Sequence, residues 1–452
     1  MKKCMACFFL LLMLYAAAPA AGAAGFALPG DVQVTAAEAY VLNLDTGLVV
    51  YEQDAHTPRS IASLTKLMTA LLLIENVPDL AGTLITAERQ LFVPPITNPD
   101  SSTADIQPGE TVRAIDMLYA MMLPSANEAA EAVGFYLSGG NLDNFYAMMN
   151  ARAKELGCTN TNFTSTGGLV DMDGGNYSTA HDVALIAQAC WQHEIFRTVC
   201  GTQLYWMPFT QHARHSTAQY PQQNPDAAYY IENSNRMMKP GAAVYRSYIR
   251  GIKTGSTHAA GRNFVSAAVN DAGESFIGVV LGCPWDTPED GYAMSFHDTA
   301  NLYDWIFKSF SVRPSLDTST PITEVKVEYS SETDVLPLYP ASDLKTILPK
   351  DGEDVLKQMF TVPDLVQAPV KKGDVVGTVT LVLQGDVLGT VDLVAGADIQ
   401  RNPALYAFAQ IKAFFGSLYF KVVVVLTVLF LAGYGLAVFF LHRRQQKRRR
   451  KF

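Results

Sequence analysis

Cysteine is scarce in this chain and poorly placed for cross-linking. Six occur among 452 residues. Cys4 and Cys7 lie in the extreme N-terminal segment, and Cys158, Cys190, Cys200 and Cys283 follow no framework spacing. A Cys190–Cys200 bridge is conceivable, but buried thiols are the default. Histidine is almost as sparse, with eight residues. His212-Ala213-Arg214-His215 has no helical context and no carboxylate at ligand spacing, which leaves a solvated loop and no metal site. No cofactor or metal is expected anywhere. Repeats and low-complexity tracts are absent, which excludes solenoids. Net positive charge is also missing from the body of the chain. The net charge is −9, and removing Lys2, Lys3 and the seven basic residues of 443–451 leaves −18 for everything between. So acidic a surface excludes nucleic acid as a partner.

The two ends carry what the middle lacks. Lys2 and Lys3 precede the short apolar run Phe8–Tyr15 and a small-residue stretch through Ala27. Residues 1–27 are therefore expected to be a secretory signal peptide, too short to span a bilayer. Val422–Leu441 holds no charged residue and meets the ~20 residues that a membrane helix needs. The basic tail 442–452 follows at once and should stay cytoplasmic. The expected protein is a single-pass membrane protein with its bulk outside the cytoplasm.

Three short motifs carry the chemistry: Ser63-Leu64-Thr65-Lys66, Ser125-Ala126-Asn127 and Lys253-Thr254-Gly255. On a helix, residues i and i+3 share a face, so the Lys66 amine can reach the Ser63 hydroxyl. A lysine acts as a base only when desolvation or nearby positive charge lowers its pKa. The apolar run Leu67–Ile74 supplies the first and Lys253 can supply the second. Ser125 can relay a proton, and Asn127 can hold both Lys66 and a substrate amide. Lys253 and Thr254 offer donors to a carboxylate, and Gly255 lets a substrate backbone approach. Alone, each motif reads better as a capping serine, a loop or a strand end. A second Ser-x-x-Lys, Ser342-Asp343-Leu344-Lys345, has no partner motifs and shows how little the first would prove by itself.

Together the three motifs resemble those of serine-type D-Ala-D-Ala carboxypeptidases, the low-molecular-mass penicillin-binding proteins. The resemblance extends to the opening segment Ala39–Glu52, to Asn233-Ser234-Asn235, and to Gly168-Leu169 with Tyr177–Asp182. In that last stretch Thr179 and Asp182 also form an expected capping box before a helix. The family implies Ser63 as nucleophile, Lys66 as base and Ser125 as proton relay. It implies Asn127, Lys253, Thr254 and Ser256 as substrate-binding residues, with the backbone N–H groups of Ser63 and Ser256 forming the oxyanion hole. Its substrates are peptidoglycan stem peptides ending in D-Ala-D-Ala, and β-lactams are its covalent inhibitors. One departure stands out. Leu281-Gly282-Cys283-Pro284 occupies the place where many relatives carry a carboxylate-gripping arginine, and Arg262 is the candidate replacement.

The implied fold is α/β, a serine β-lactamase and penicillin-binding-protein type of catalytic domain over 30–312. Strand-like alternation at 30–60, helical periodicity over 61–200 broken by a loop at Pro94–Gly109, a hairpin over 263–281 and a closing helix at Leu302–Phe310 all fit it. A small all-β domain follows over 315–400, then a juxtamembrane helix at 404–421 and the membrane helix at 422–441. Competing functions are a DD-endopeptidase, a β-lactamase, and a non-catalytic wall-binding or β-lactam-sensing protein. The β-lactamase reading needs a glutamate to position deacylating water. The loop Phe163–Asn176 offers only Asp171 and Asp173.

Overall fold

The computed structural model describes residues 26–350, 356–383 and 385–449. Nearly all of the expected signal peptide lies outside them. The chain divides into two compact units, one built mainly from residues up to Ser315 and the other mainly from residues beyond it.

The first unit is organised by a five-stranded antiparallel sheet. Its order is Val49–Gln53, Glu38–Asn43, Ser275–Cys283, Gly261–Val269, Ile249–Thr257, so both ends of the unit meet in one sheet. Tyr40 pairs with Val279 and Val265 with Lys253. The strands Gly261–Val269 and Ser275–Cys283 are buried almost throughout, and both faces of the sheet are covered. Helix α1 (Lys66–Asn76), α2 (Ala114–Met122), α3 (Asn127–Leu137), α4 (Leu142–Glu155), α5 (Ala180–Trp191) and α6 (Glu194–Gly201) form a lobe between the sheet's two contributing segments, and α7 (Met294–Ser309) packs on the sheet. Residues 66–73 of α1 are buried without interruption. A helix apolar all round belongs in a core, not on a surface. That position sets the electrostatics of its first residue, Lys66.

Several elements differ from expectation. The closing helix begins at Met294, eight residues before the apolar run that suggests it, because Ser295, Asp298 and Thr299 are buried as well. Asp298 accepts from the backbone N–H groups of Thr35 and Ala36, tying the helix to the N-terminal segment. Only half of the capping box at α5 forms. The Thr179 hydroxyl accepts from the Asp182 N–H, but the Asp182 carboxylate turns to the Asn160 N–H and the Thr161 hydroxyl. Cys158, Cys190, Cys200 and Cys283 are all buried free thiols. The Ser342 copy of Ser-x-x-Lys is not helical. Ser342 and Lys345 are exposed, and the lysine already belongs to the strand Leu344–Pro349.

The second unit holds a six-stranded sheet in the order Leu356–Thr361, Val375–Leu383, Asp386–Ala395, Val335–Pro340, Thr323–Glu328, Leu365–Gln367. Val325 and Val327 face inward while Glu324, Lys326 and Glu328 face water, the period-two pattern of a half-covered strand. Helix α8 (Pro403–Gly416) is capped by the Asn402 side chain. It ends at Gly416 and does not run on to residue 421. The Ser417 hydroxyl accepts from the Phe420 N–H and opens a new helix, α9 (Leu418–Arg449). Within α9, Leu418–Gln445 is long and apolar enough to cross a membrane and, apart from the half-buried Phe420, is exposed along its described side chains.

Candidate active site

Ser63 lies in a one-turn 3-10 helix, Ala62–Thr65, that feeds directly into α1. Ala62 holds φ at +49°, a left-handed conformation costly for a residue with a side chain. Gly168 explains why the turn can sit where it does. At φ +82° its missing Cβ would fall 1.9 Å from the Ala62 carbonyl oxygen. The loop after α4 and the serine turn can meet only because residue 168 is glycine.

The Lys66 amine is fully buried and makes three contacts. Its Nζ is 3.0 Å from Ser63 Oγ, 2.7 Å from Asn127 Oδ1 and 2.8 Å from the Gly167 carbonyl oxygen. Burial pushes its pKa well below the usual lysine range, and the charge of Lys253 pushes in the same direction. Glu128 and Glu131 pull it back up to a lesser extent. A neutral amine has two hydrogens and one lone pair. The two carbonyl oxygens can only accept, so they take both hydrogens and leave the lone pair aimed at the Ser63 hydroxyl. That is the geometry of a base poised on a nucleophile.

Ser125 and Asn127 enter from the break between α2 and α3. Ser125 has φ +73°, and its Oγ is buried with no hydrogen-bond partner among the described residues. A strained residue presenting an unsatisfied hydroxyl is a feature of a working site, not of a helix cap. Asn127 is held from the far side, its Nδ2 donating to Ser101 Oγ at 2.8 Å and its N–H to the Ser102 carbonyl.

The strand Ile249–Thr257 brings the third motif to the sheet edge. Lys253 is buried, and burial lowers its pKa to about 7. Its amine donates to the Thr254 carbonyl at 2.8 Å. Thr254 Oγ1 lies 2.7 Å from Ser234 Oγ, so the Asn233–Asn235 segment supports the strand directly. A Cβ on Gly255 would stand 3.0 Å from the Ile61 carbonyl oxygen and 3.2 Å from the Ser63 nitrogen, which shows how closely this strand's backbone approaches the serine turn. Ser256 is exposed and pairs across the sheet with Arg262. The Arg262 guanidinium lies 4.7 Å over the Trp285 ring, and its Nε is buried without a partner among the described residues. The His258 ring lies tilted beside the same Trp285 ring, centroid to centroid 5.8 Å.

The structure thus gathers Ser63, Lys66 and Asn127 into direct contact, with Lys253 close enough to act on Lys66 through charge. It also supplies parts that the motifs do not announce: Ser101, Gly167, Ser234 and Glu131. One expectation is overturned. His215 is not on a solvated loop but buried, with Nδ1 2.8 Å from Glu110 Oε1 and Nε2 3.2 Å from Asp105 Oδ2. The two acids lie 105 and 110 positions earlier in the chain, outside any local pattern.

A sheet edge laid against a buried Ser–Lys helix, with a helical lobe closing the cleft, defines a serine acyl-transfer enzyme of the β-lactamase and penicillin-binding type. Comparison with known proteins narrows this. The D-alanyl-D-alanine carboxypeptidase family model matches residues 25–284, and that of the penicillin-binding protein 5 C-terminal domain matches 310–401. The chain is similar to D-alanyl-D-alanine carboxypeptidase DacF of Bacillus subtilis, 27% identical over 386 residues, covering 84% of this chain and 90% of that one. DacC of Escherichia coli is 28% identical over 367 residues, 77% of this chain and 80% of its own. Among solved structures, penicillin-binding protein 5 from Haemophilus influenzae shares the fold with a TM-score of 0.62 at 24% identity, over 83% of this chain and all of the other. The Streptomyces K15 DD-transpeptidase aligns with a TM-score of 0.52 at 26% identity, over 62% of this chain and 98% of its own. The chain belongs to the D-alanyl-D-alanine carboxypeptidase family, and it is a serine-type enzyme.

Proposed function

We propose that the protein removes the terminal D-alanine from peptidoglycan stem peptides through an acyl-enzyme on Ser63, and that β-lactams acylate the same hydroxyl. The observation that carries this is the buried Lys66 amine, 3.0 Å from Ser63 Oγ and held by the carbonyl oxygens of Asn127 and Gly167. Lys66 takes the Ser63 proton as Oγ attacks the scissile carbonyl. The charge that develops on the carbonyl oxygen meets the backbone N–H groups of Ser63 and Ser256. Ser125, whose hydroxyl has no other partner among the described residues, passes the proton to the departing D-alanine amine. Lys253 and Thr254 take the terminal carboxylate, and Asn127 holds the peptide with its remaining N–H. Water then releases the shortened peptide.

The same reading assigns residues 1–27 to a signal peptide, 30–312 to the catalytic domain and 315–400 to the β-rich domain. Residues 404–421 join that domain to the membrane span 422–441, with the tail 442–452 in the cytoplasm. It rests on the apolar helix, its basic flank and the N-terminal run.

The test is labelled penicillin together with release of D-alanine from a peptide ending in D-Ala-D-Ala. Ser63→Ala should lose both, and Ser342→Ala should keep both. Lys66→Arg should slow acylation by about 10²–10⁴, because a guanidinium stays protonated and cannot accept the proton. Labelling that survives in Ser63→Ala, or an unimpaired Lys66→Arg, would overturn the assignment.

A further inference from the structure

Acylation leaves a problem that Lys66 cannot solve alone. Its two hydrogens are committed to Asn127 and Gly167, and its lone pair points at Ser63 Oγ. Once Oγ is part of an ester, that lone pair faces the ester oxygen and not an incoming water. A second base is needed, and the loop Phe163–Asn176 does not provide it. Asp171 already accepts from the Thr257 hydroxyl at 2.7 Å, and Asp173 is exposed in the turn Met172–Gly174.

A cavity of about 280 Å³ borders the site, and both carbonyl partners of Lys66, Asn127 and Gly167, form part of its wall. One carboxylate also lines it: Glu131, on α3 and one turn beyond Asn127, hence on the same helix face. One Glu131 oxygen accepts a hydrogen bond from the Thr166 hydroxyl, and the other has no partner among the described residues. Glu128, the other acid acting on Lys66, is committed elsewhere, accepting from the Thr103 hydroxyl and the Ala104 N–H.

We propose that Glu131 is the general base for deacylation, activating a water held in this cavity beside Lys66. The inference rests on the Ser63 acyl-enzyme reading and adds a residue to it. The water oxygen bonds to the ester carbon as one of its protons passes to Glu131. The tetrahedral adduct then breaks its bond to Ser63 Oγ, and the electron pair leaves with that oxygen. Glu131 hands its proton to the Lys66 amine, and the ammonium so formed protonates Oγ. The second water proton stays on the new carboxyl group, and both side chains return to their starting states. Burial raises the Glu131 pKa, which makes it a stronger base than a surface carboxylate, while the Thr166 hydrogen bond and the Lys66 charge limit the rise. The titratable groups facing it are Lys66 from α1 and Tyr146 from α4.

The experiment measures formation and loss of the penicillin label on Ser63 in the full-length protein. Glu131→Gln keeps an oxygen for the Thr166 hydroxyl, so a residue that merely clamps the loop would tolerate it. The expected result is acylation within about threefold of wild type and deacylation slower by about 10²-fold. The acidic limb of the wild-type deacylation profile should vanish in Glu131→Gln, and Glu131→Asp should recover part of the rate. Normal labelling with unchanged deacylation in Glu131→Gln would overturn this inference alone. A joint fall of acylation, deacylation and melting temperature would overturn it too, in favour of a structural clamp. No label on Ser63 in the wild type would overturn the parent reading, and this one with it.

Discussion

Lys253 has two duties that pull in opposite directions. It must carry charge to receive a carboxylate, yet burial lowers its pKa to about 7 from the 10.5 of a free lysine. Between those values the unfolded chain holds a proton that the folded chain has released. Stability should therefore rise with pH across about 7 to 10.5, while below about 7 the full penalty of a buried ammonium applies. Capture of the substrate runs the other way, since kcat/KM for peptides with a free carboxylate should fall as pH passes about 7. Lys253→Met separates the two effects. It should gain about 1–2 kcal/mol in urea unfolding at neutral pH and lose the pH slope, while KM rises sharply. Equal stability of the two proteins at pH 7 would show that Lys253 is not held against a desolvation cost. Lys66 is pushed down as well, first by its own burial and then by the charge of Lys253.

The edge strand and the serine turn work as one unit, because only glycine at 255 lets them approach. In Gly255→Ala the new methyl group meets the Ile61 carbonyl oxygen at 3.0 Å and the Leu64 nitrogen at 3.1 Å, so the strand must retreat by a few tenths of an ångström. The strand's pairing with Gly261–Val269 is untouched by such a shift. Acylation should fall by about 10–10² with little change in melting temperature, since small displacements cost far more in rate than in packing. A loss of stability without a loss of acylation would place the constraint in the fold and not in the site. This coupling also shows what sequence could and could not reveal. Ser63, Lys66 and Asn127 were legible because each sits in a compact motif with a recognisable helix or strand behind it. Ser101, Gly167 and Glu131 were not, because each acts through a single tertiary contact and belongs to no periodic pattern. Asp182 misled for a related reason. Its spacing from Thr179 is right for a reciprocal cap, but Asn160 and Thr161 compete for the carboxylate and win. His215 was misplaced because its burial depends on Asp105 and Glu110, which approach it only after folding. The hairpin at 261–283 was found almost to the residue, since alternation and a turn signal are local.

No member of the three motifs lies beyond Gly255, so anchor and catalyst should separate cleanly. A chain ending at Asn402 keeps the pairing of Val370 with Ile399 and lacks both terminal helices. It should be soluble without detergent, still bind penicillin and still release D-alanine from short peptides. The full-length protein should resist extraction by high salt, because a spanning helix is held by burial and not by screened charge. Recovery of the full-length protein in the salt wash would make α9 an interfacial helix. Loss of acylation in the shortened chain would mean that the tether shapes the site. The span Leu418–Gln445 counts 28 residues, about 42 Å of helix at ~1.5 Å per residue, against a hydrocarbon core of ~30 Å. With that helix in a bilayer, the enzyme diffuses in two dimensions and samples only a thin shell above the lipid. Its turnover is then governed by how many copies occupy a unit of membrane area, so a dilute soluble fragment will understate the working rate even when every catalytic distance is preserved.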